Sequence, residues 1–250
     1  MADDRAAAVK FSVIVCAYNE ETLLPGCLHS ILHQSFPPHE LIVINNASTD
    51  GTAAVAAIPG VRVVNEPRKG LVVARETGRH VSTGDVLVYV DADCRAPREW
   101  LERVAMEFAG PNPPAAVTGP YRFYDWDWLG RVLIRMYDYS LAPATHVLAQ
   151  YIFRMGAVLY GGNFAVRRDA LDTIGGFDTS IEFHGEDTNL ARRISKAGRV
   201  RLKQRCYIST SARRYKTMGR GKVFGIYVRN FCAEIFLHRP SDTTHEDVRA

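Results

Sequence analysis

The chain has 250 residues, 47% apolar and 23% charged, which excludes a disordered chain, a collagen-like repeat and a small disulfide scaffold. It is long enough to bury a core without disulfides or structural metal. Its 31 Lys and Arg against 27 Asp and Glu give a net +4, too little to argue for nucleic-acid binding.

The first hundred residues alternate two patterns. Phe11 to Val15 is a short apolar run and predicts a buried strand. Leu23, Leu24, Cys27, Leu28, Ile31 and Leu32 follow at helical spacing, and Pro37-Pro38 closes that helix. Leu41 to Ile44 predicts a second strand, and Asp50 to Ile58 a helix ended by Pro59-Gly60. Val61 to Val64 predicts a third strand, and Gly70 to Val81 a helix that exits through Ser82-Thr83-Gly84. Val86 to Val90 predicts a fourth strand, and Trp100, Leu101, Val104, Ala105 and Phe108 mark a further helical face. Repeated β–α units of this size imply an α/β fold, with a mostly parallel sheet flanked by helices. Ligands bind such sheets at the carboxyl ends of the strands.

Pro111-Asn112-Pro113-Pro114 is a break, beyond which the chain is more aromatic, with Tyr121, Phe123, Tyr124, Trp126 and Trp128 close together. Leu129 to Arg154 predicts a helical stretch, Phe164 to Val166 a strand after the turn Gly161-Gly162-Asn163, and Asp187 to Ala197 a helix. No stretch is long and apolar enough to predict a spanning helix, because Arg135, Asp138 and Arg154 interrupt the best candidate. The five cysteines, Cys16, Cys27, Cys94, Cys206 and Cys232, form no CxxC pair and read as reduced thiols. Met1 to Lys10 carries Asp3 and Asp4 and lacks an apolar core, so no signal peptide is expected and the predicted location is cytoplasmic. Arg192 to Lys222 holds twelve Lys and Arg and no acid, leaving −8 on the rest of the chain. That segment suits an anionic ligand or surface, or is a solvated face.

The chemistry-bearing residues follow the predicted strands. Asp91-Ala92-Asp93 follows the fourth strand, and in extended chain residues two apart project to the same side. Two carboxylates there suit Mg²⁺ or Mn²⁺ bridging to phosphates. Read structurally, they are a polar turn with one Asp capping the next helix. Asn45-Asn46-Ala47-Ser48-Thr49-Asp50 follows the second strand and can bond a base or ribose, while Asp50 can equally cap the next helix. Ala17-Tyr18-Asn19-Glu20 follows the first strand. Lys69-Gly70 opens a helix that carries Arg75 and Gly78, and a helix start with nearby cations suits a diphosphate.

Together these segments resemble the inverting family 2 glycosyltransferases of the GT-A fold, over about Phe11 to Arg220. The opening Val13 to Glu20, the segment Asn46 to Thr52, the Lys69–Gly78 segment and Asp91-Ala92-Asp93 are similar to that family's successive motifs. Gly161 to Arg168 resembles its acceptor-side strand, and Gly175-Gly176-Phe177-Asp178 with Gly185-Glu186-Asp187 resembles the segment holding its catalytic base. The resemblance implies a GT-A, Rossmann-like sheet with a C-terminal helical extension, as one domain over 1–250. About 11–110 would be the nucleotide-sugar half, 115–220 the acceptor and catalytic half, and 221–250 a helix and tail.

It also implies transfer of one sugar from a nucleoside diphosphate sugar to a saccharide or lipid-linked hydroxyl. Asp187 is then the base, with Glu186 as alternative, and Asp91 and Asp93 hold Mg²⁺ or Mn²⁺. Ala17, Tyr18, Glu20, Asn46, Lys69, Arg75, Asp91 and Ala92 line the donor site. Arg213 and Arg214 lie where relatives have a mobile loop over the diphosphate. Glu186 and Asp187 also open a helix, where acids favour the macrodipole.

Two departures stand out. Many relatives carry acids at Asn45-Asn46, so uridine leads with guanine and thymine open, and no QxxRW marks a polymerising synthase. The mixed basic and aromatic run through Phe231 suits an interfacial helix on an anionic membrane, as a peripheral contact, or a helix packed on the domain. His184 reads as a metal or acceptor contact or a bonded loop residue, and Trp126 and Trp128 as sugar-stacking or packing residues. A dehydrogenase would need glycines between Cys16 and Glu20, where there are none. A nucleotidyltransferase would need a Gly-rich loop there too. A non-catalytic sugar-nucleotide-binding or membrane scaffold is the remaining alternative.

Overall fold

Strand β1 (Phe11–Ala17) is buried on both faces: Val13 and Val15 pack into one apolar cluster and Ile14 into another. The computed structural model describes residues 9–181 and 183–237. The readings of the extreme N-terminus and of the 238–250 tail lie outside these residues.

Strands β2 (Glu40–Asn46), β3 (Arg62–Glu66) and β4 (Val86–Asp91) pair in parallel with β1 or with each other. Val86, Val88 and Val90 of β4 join the first cluster, and Leu87 and Tyr89 the second. The first cluster is closed by helix α1 (Leu24–Leu32) and helix α4 (Trp100–Phe108). Short α2 (Thr52–Ala56) lies between β2 and β3, and α3 (Leu71–Val81) covers the second cluster. Each fully buried Leu or Ile contributes roughly 1.5–3 kcal/mol, so two-sided burial selects continuous apolar strands.

The second half completes the sheet in the order β3-β2-β1-β4-β7-β5-β8. Strands β5 (Ala116–Thr118) and β8 (Val200–Leu202) were not predicted, nor was the separate pair β6 (Tyr121–Phe123) with β9 (Ile208–Thr210). Strand β7 (Asn163–Arg167) runs antiparallel to β4, so its first residue reaches the edge where β4 ends.

The stretch predicted as helical from Leu129 to Arg154 is α5 (Trp128–Met136), a wide π-helical turn (Tyr137–Leu141), α6 (Ala142–Val147) and a second such turn (Leu148–Ile152). Pro143 lacks an N–H and crowds the preceding turn, which accounts for the first widening. Helices α7 (Arg168–Thr173) and α8 (Glu186–Ala197) cover the second cluster. The chain then forms α9 (Arg213–Met218) and α10 (Arg220–Leu237). Residues 213–218 are thus helical, not the loop expected, because Ser211 and the Ala212 N–H bond Asp125 and Lys216 pairs with the same carboxylate. Among the described residues no helix is long and apolar enough to cross a membrane, and the five cysteines are unpaired.

Candidate active site

Strand register brings the predicted residues to one edge. Cys16 lies opposite Asp91 and Ala17 opposite Asn45, so β1, β2 and β4 end side by side. Antiparallel β7 delivers Gly161 and Gly162 to the same edge, with Asn163 opposite Val90. Asn163 pins this turn by donating to the carbonyls of Gly119 and Cys206, both at 2.9 Å, and accepting from the Trp100 indole at 3.1 Å.

The two glycines create the central cradle. A Cβ at Gly162 would sit 2.0 Å from Asp91 Oδ2 and 2.8 Å from the Tyr121 hydroxyl. One at Gly161 would sit 3.0 Å from Glu186 Oε1 and 3.5 Å from Asp187 Cβ. Only hydrogen side chains let the Asp91 carboxylate and the start of α8 approach one turn this closely. Tyr121 reinforces it by accepting from the Gly162 N–H at 2.5 Å.

Arg75 ties both sides together from beneath. Its side chain is 3% exposed and donates to Gly161 O at 2.7 Å and to Glu186 Oε1 at 2.9 Å, and it lies 3.8 Å from Asp91. Burial disfavours the charged guanidinium, but Glu186 and Asp91 outweigh that and hold it cationic. Expected to face a diphosphate, Arg75 instead commits its guanidinium to the protein's own acids.

Asp93 accepts from Thr210 Oγ1 at 3.0 Å and lies 3.3 Å from Arg213, whose other contacts are to Glu20, including one of 2.9 Å. Burial pushes the Asp93 carboxyl up to about 6, with Arg213 pulling it down and Asp91 and Glu20 pushing it up. Asp91, only partly buried, is also raised by partial desolvation and by Glu186, with Arg75 opposing first. Among the described residues no three His, Cys, Asp or Glu side chains converge. The protein therefore offers two carboxylates, which is the complement a Mg²⁺ or Mn²⁺ shared with a diphosphate uses. The residues fit such an ion, because crowded carboxylates with raised proton affinity gain from a neighbouring cation. Ala92, between them, turns its methyl into the core.

Asp187 is partly buried and accepts from the Thr188 N–H at 2.7 Å. Burial and then the neighbouring Glu186 push its carboxyl up to about 7. Arg214 stacks over the Phe183 ring at 4.6 Å and helps to hold Asp91 ionised.

On the far side, Lys69 donates to the Tyr18 hydroxyl at 2.8 Å across the rim. Asn46 was predicted to meet the donor, but its amide donates to Arg68 O at 2.7 Å and its carbonyl accepts from the Gly70 N–H at 2.8 Å. It clamps the loop entering α3. Asn45 donates to Asn65 at 2.9 Å, and its buried Oδ1 has no partner among the described residues. Asp50 bonds Thr52 at the start of α2, the structural alternative. Trp126 packs on Phe123 and Tyr215, whereas Trp128 is 73% exposed. His184 is buried beside Phe183 and Tyr227.

Sequence reasoning missed Thr210 and Tyr121. Both sit on the β6–β9 pair, and the aromatic density from Tyr121 onward was the one signal for it.

Known proteins resemble the chain as a whole. Glycosyltransferase AglE of Haloferax volcanii is 28% identical over 195 residues, 75% of this chain and 62% of its own length. A glucosyl-dolichyl phosphate glucuronosyltransferase of the same organism is 25% identical over 71% of this chain and 59% of its own. The chain thus spans about three fifths of the length of these curated relatives. The solved mannosyltransferase PcManGT from Pyrobaculum calidifontis, in complex with GDP-Man and Mn²⁺, superposes with a TM-score of 0.70 at 23% identity. That match covers 92% of this chain and 64% of that one, and it shows the shared fold. A family model, glycosyl transferase family 2, matches residues 12–175. The chain belongs to glycosyl transferase family 2.

Proposed function

We propose that the chain transfers one sugar, with inversion, from a nucleoside diphosphate sugar to a hydroxyl of a saccharide or lipid-linked acceptor. The observation that carries this is the shared cradle: Asp91 and Asp187 flank the same two glycines, one fit for a cation and one fit to take a proton near neutrality. Asp187 removes the acceptor proton as its oxygen attacks the anomeric carbon and the carbon–oxygen bond to the diphosphate breaks on the opposite face. Arg213 and Arg214 supply positive charge to the departing diphosphate. Asp91 and Asp93 would hold Mg²⁺ or Mn²⁺, which supplies Lewis-acid stabilisation of the leaving group. The PcManGT complex, which contains Mn²⁺, supports that assignment.

The unpartnered Asn45 carbonyl suits an N–H of the donor base, available on uracil, thymine and guanine alike. The relative named a glucosyl-dolichyl phosphate glucuronosyltransferase supports the lipid-linked acceptor class. Calorimetry with UDP, GDP and TDP, with and without Mn²⁺, tests the reading on wild type and on Asp91→Ala/Asp93→Ala. One nucleotide should bind in a Mn²⁺-dependent way, and the double variant should lose it. Metal-independent binding that persists in the variant would overturn the cation assignment.

The Asn45-Asn46 pair favours one second reading, a non-catalytic sugar-nucleotide-binding protein. Sugar transfer lost in Asp187→Asn with nucleotide binding intact excludes it.

A further inference from the structure

The exposed apolar surface of the molecule is concentrated in one place. Apart from Leu32, Ile58 and Met106, every large exposed apolar side chain of the described residues lies on 128–153 or on 224–228 of α10. Trp128, Met136, Leu141, Ile152, Phe153 and Phe224 are each between 57% and 73% exposed. A patch on this scale marks an interaction surface. Helix α10 makes the point alone: Val223 and Ala233 are buried, while Phe224 and Val228 are also apolar and face outward. A helix apolar on both sides calls for a second apolar environment.

The two stretches start from one corner. Arg220 pairs with Asp127, the N-cap of α5, and stacks on Trp126 at 5.5 Å. Asp138 on the first stretch accepts from the Tyr160 hydroxyl at 2.5 Å, next to Gly161, and Tyr227 on the second lies 6.3 Å from the His184 ring just ahead of α8, so the surface borders the site.

Charge selects the occupant. Over 128–154 and 220–233 the exposed charged residues are all cations, Arg131, Arg135, Arg154, Arg220, Lys222 and Arg229, while Asp138 is buried and Asp127, at the edge, is paired with Arg220. A second copy seated by a two-fold axis would set these cations against themselves. Residues 238–250, with Val248 as their one sizeable apolar side chain, and residues 1–8, with Met1, carry too little apolar surface to match the patch. Apolar and aromatic side chains ringed by cations match the interface of an anionic bilayer, where acyl chains take the first and headgroups the second.

We propose that the face formed by residues 128–154 and the exposed side of α10 docks on an anionic lipid bilayer. This places the start of α8, which carries Asp187, on the membrane-facing side. Docking rests on the exposed side chains and stands apart from the sugar-transfer reading.

The test is co-sedimentation of the full chain with vesicles of equal parts phosphatidylcholine and phosphatidylglycerol, and with phosphatidylcholine alone. The chain should pellet with the mixed vesicles and bind the neutral ones roughly tenfold more weakly. Met136→Glu/Ile152→Glu should weaken binding to both by about tenfold or more, and Arg131→Glu/Arg135→Glu should reduce mixed-vesicle binding to the neutral level. These side chains face solvent, so an unchanged melting temperature and unchanged nucleotide calorimetry show that fold and donor site are intact. A folded wild-type chain that stays in the supernatant with both vesicles overturns the proposal. So does a solution dimer, seen by light scattering, that Met136→Glu/Ile152→Glu dissociates while vesicle binding is absent.

Discussion

Arg75 donates to Glu186 at 2.9 Å across 111 residues of sequence, joining α3 to the first turn of α8. The same guanidinium lies 3.8 Å from Asp91, so one buried cation sets the positions of both carboxylate groups. Its neutral replacement Arg75→Met leaves Glu186 and Gly161 O unpaired in a site where both side chains are largely buried. Breaking one half of a buried pair costs about 3–5 kcal/mol. At about 2–4 °C per kcal/mol the melting temperature should fall by roughly 10 °C. Arg75→Met/Glu186→Gln should recover a good part of that loss. Thermal denaturation of the three proteins checks it, and equal losses in the single and double variants would sink the pairing argument.

The acid limb of turnover should lie near neutrality. The base must be ionised, and Asp187 holds its proton up to about 7. Turnover at limiting substrate should therefore fall about tenfold per pH unit below that point and level off above it. Glu186→Gln removes a negative neighbour that raises Asp187, so the limb should move to lower pH. An unmoved limb in that variant would assign the titration to another group.

Stability has the matching sign. The folded chain binds this proton more tightly than the unfolded chain, whose aspartate has the ordinary value of 3.8. Asp187 therefore favours the folded state below 3.8, and that contribution is lost as pH rises to about 7. Asp187→Asn should flatten that part of the stability profile, read by denaturant unfolding across the same pH range.

How much of this was legible in the sequence depended on length and on partners. Strands β1, β2 and β4 were predicted because two-sided burial writes an unbroken apolar run into each of them. Strands β5, β6, β8 and β9 have three residues apiece, too few for any period to show. The ends of long strands pointed to Asp91, Asp93 and Glu20, since a polar residue after a buried run stands out. What each side chain bonds to was not legible. Asn46 looked like a base contact and is a loop clamp, because its partners Arg68 and Gly70 are set by the path into α3. Arg213 read as part of a loop because relatives in the resembled family have a mobile loop there, yet Asp125, far earlier in the chain, anchors the short helix that carries it.

Gly162 offers a sharp test of Asp91. An alanine methyl there would fall 2.0 Å from Asp91 Oδ2, so the carboxylate must swing away. Its side chain is 42% exposed and has room to do so. Gly162→Ala should thus fold, with a loss of about 1–3 kcal/mol from overpacking. Mn²⁺-dependent nucleotide affinity should drop by about tenfold or more, since one of two carboxylate ligands is displaced. Calorimetry reads this directly, and unchanged affinity in a folded variant would remove Asp91 from the cation site.

Arg213 sits where a cation's charge is wanted. It pairs with Glu20 and approaches Asp93 at 3.3 Å, and it pulls the Asp93 carboxyl down against burial. In Arg213→Ala the charges of Asp91 and Glu20 act on Asp93 without that counter-charge, and Asp93 should take up its proton more readily still. Mn²⁺ alone, without nucleotide, should then raise the melting temperature of the variant more than that of wild type, because it no longer competes with a guanidinium. The diphosphate, by contrast, loses a charge-assisted partner, so nucleotide affinity at saturating Mn²⁺ should fall by about tenfold. Thermal shift with Mn²⁺ titration and calorimetry separate the two effects. A variant in which Mn²⁺ stabilises no better than in wild type would show that Arg213 and the metal do not share this charge, and that Arg213 only anchors α9 to Glu20.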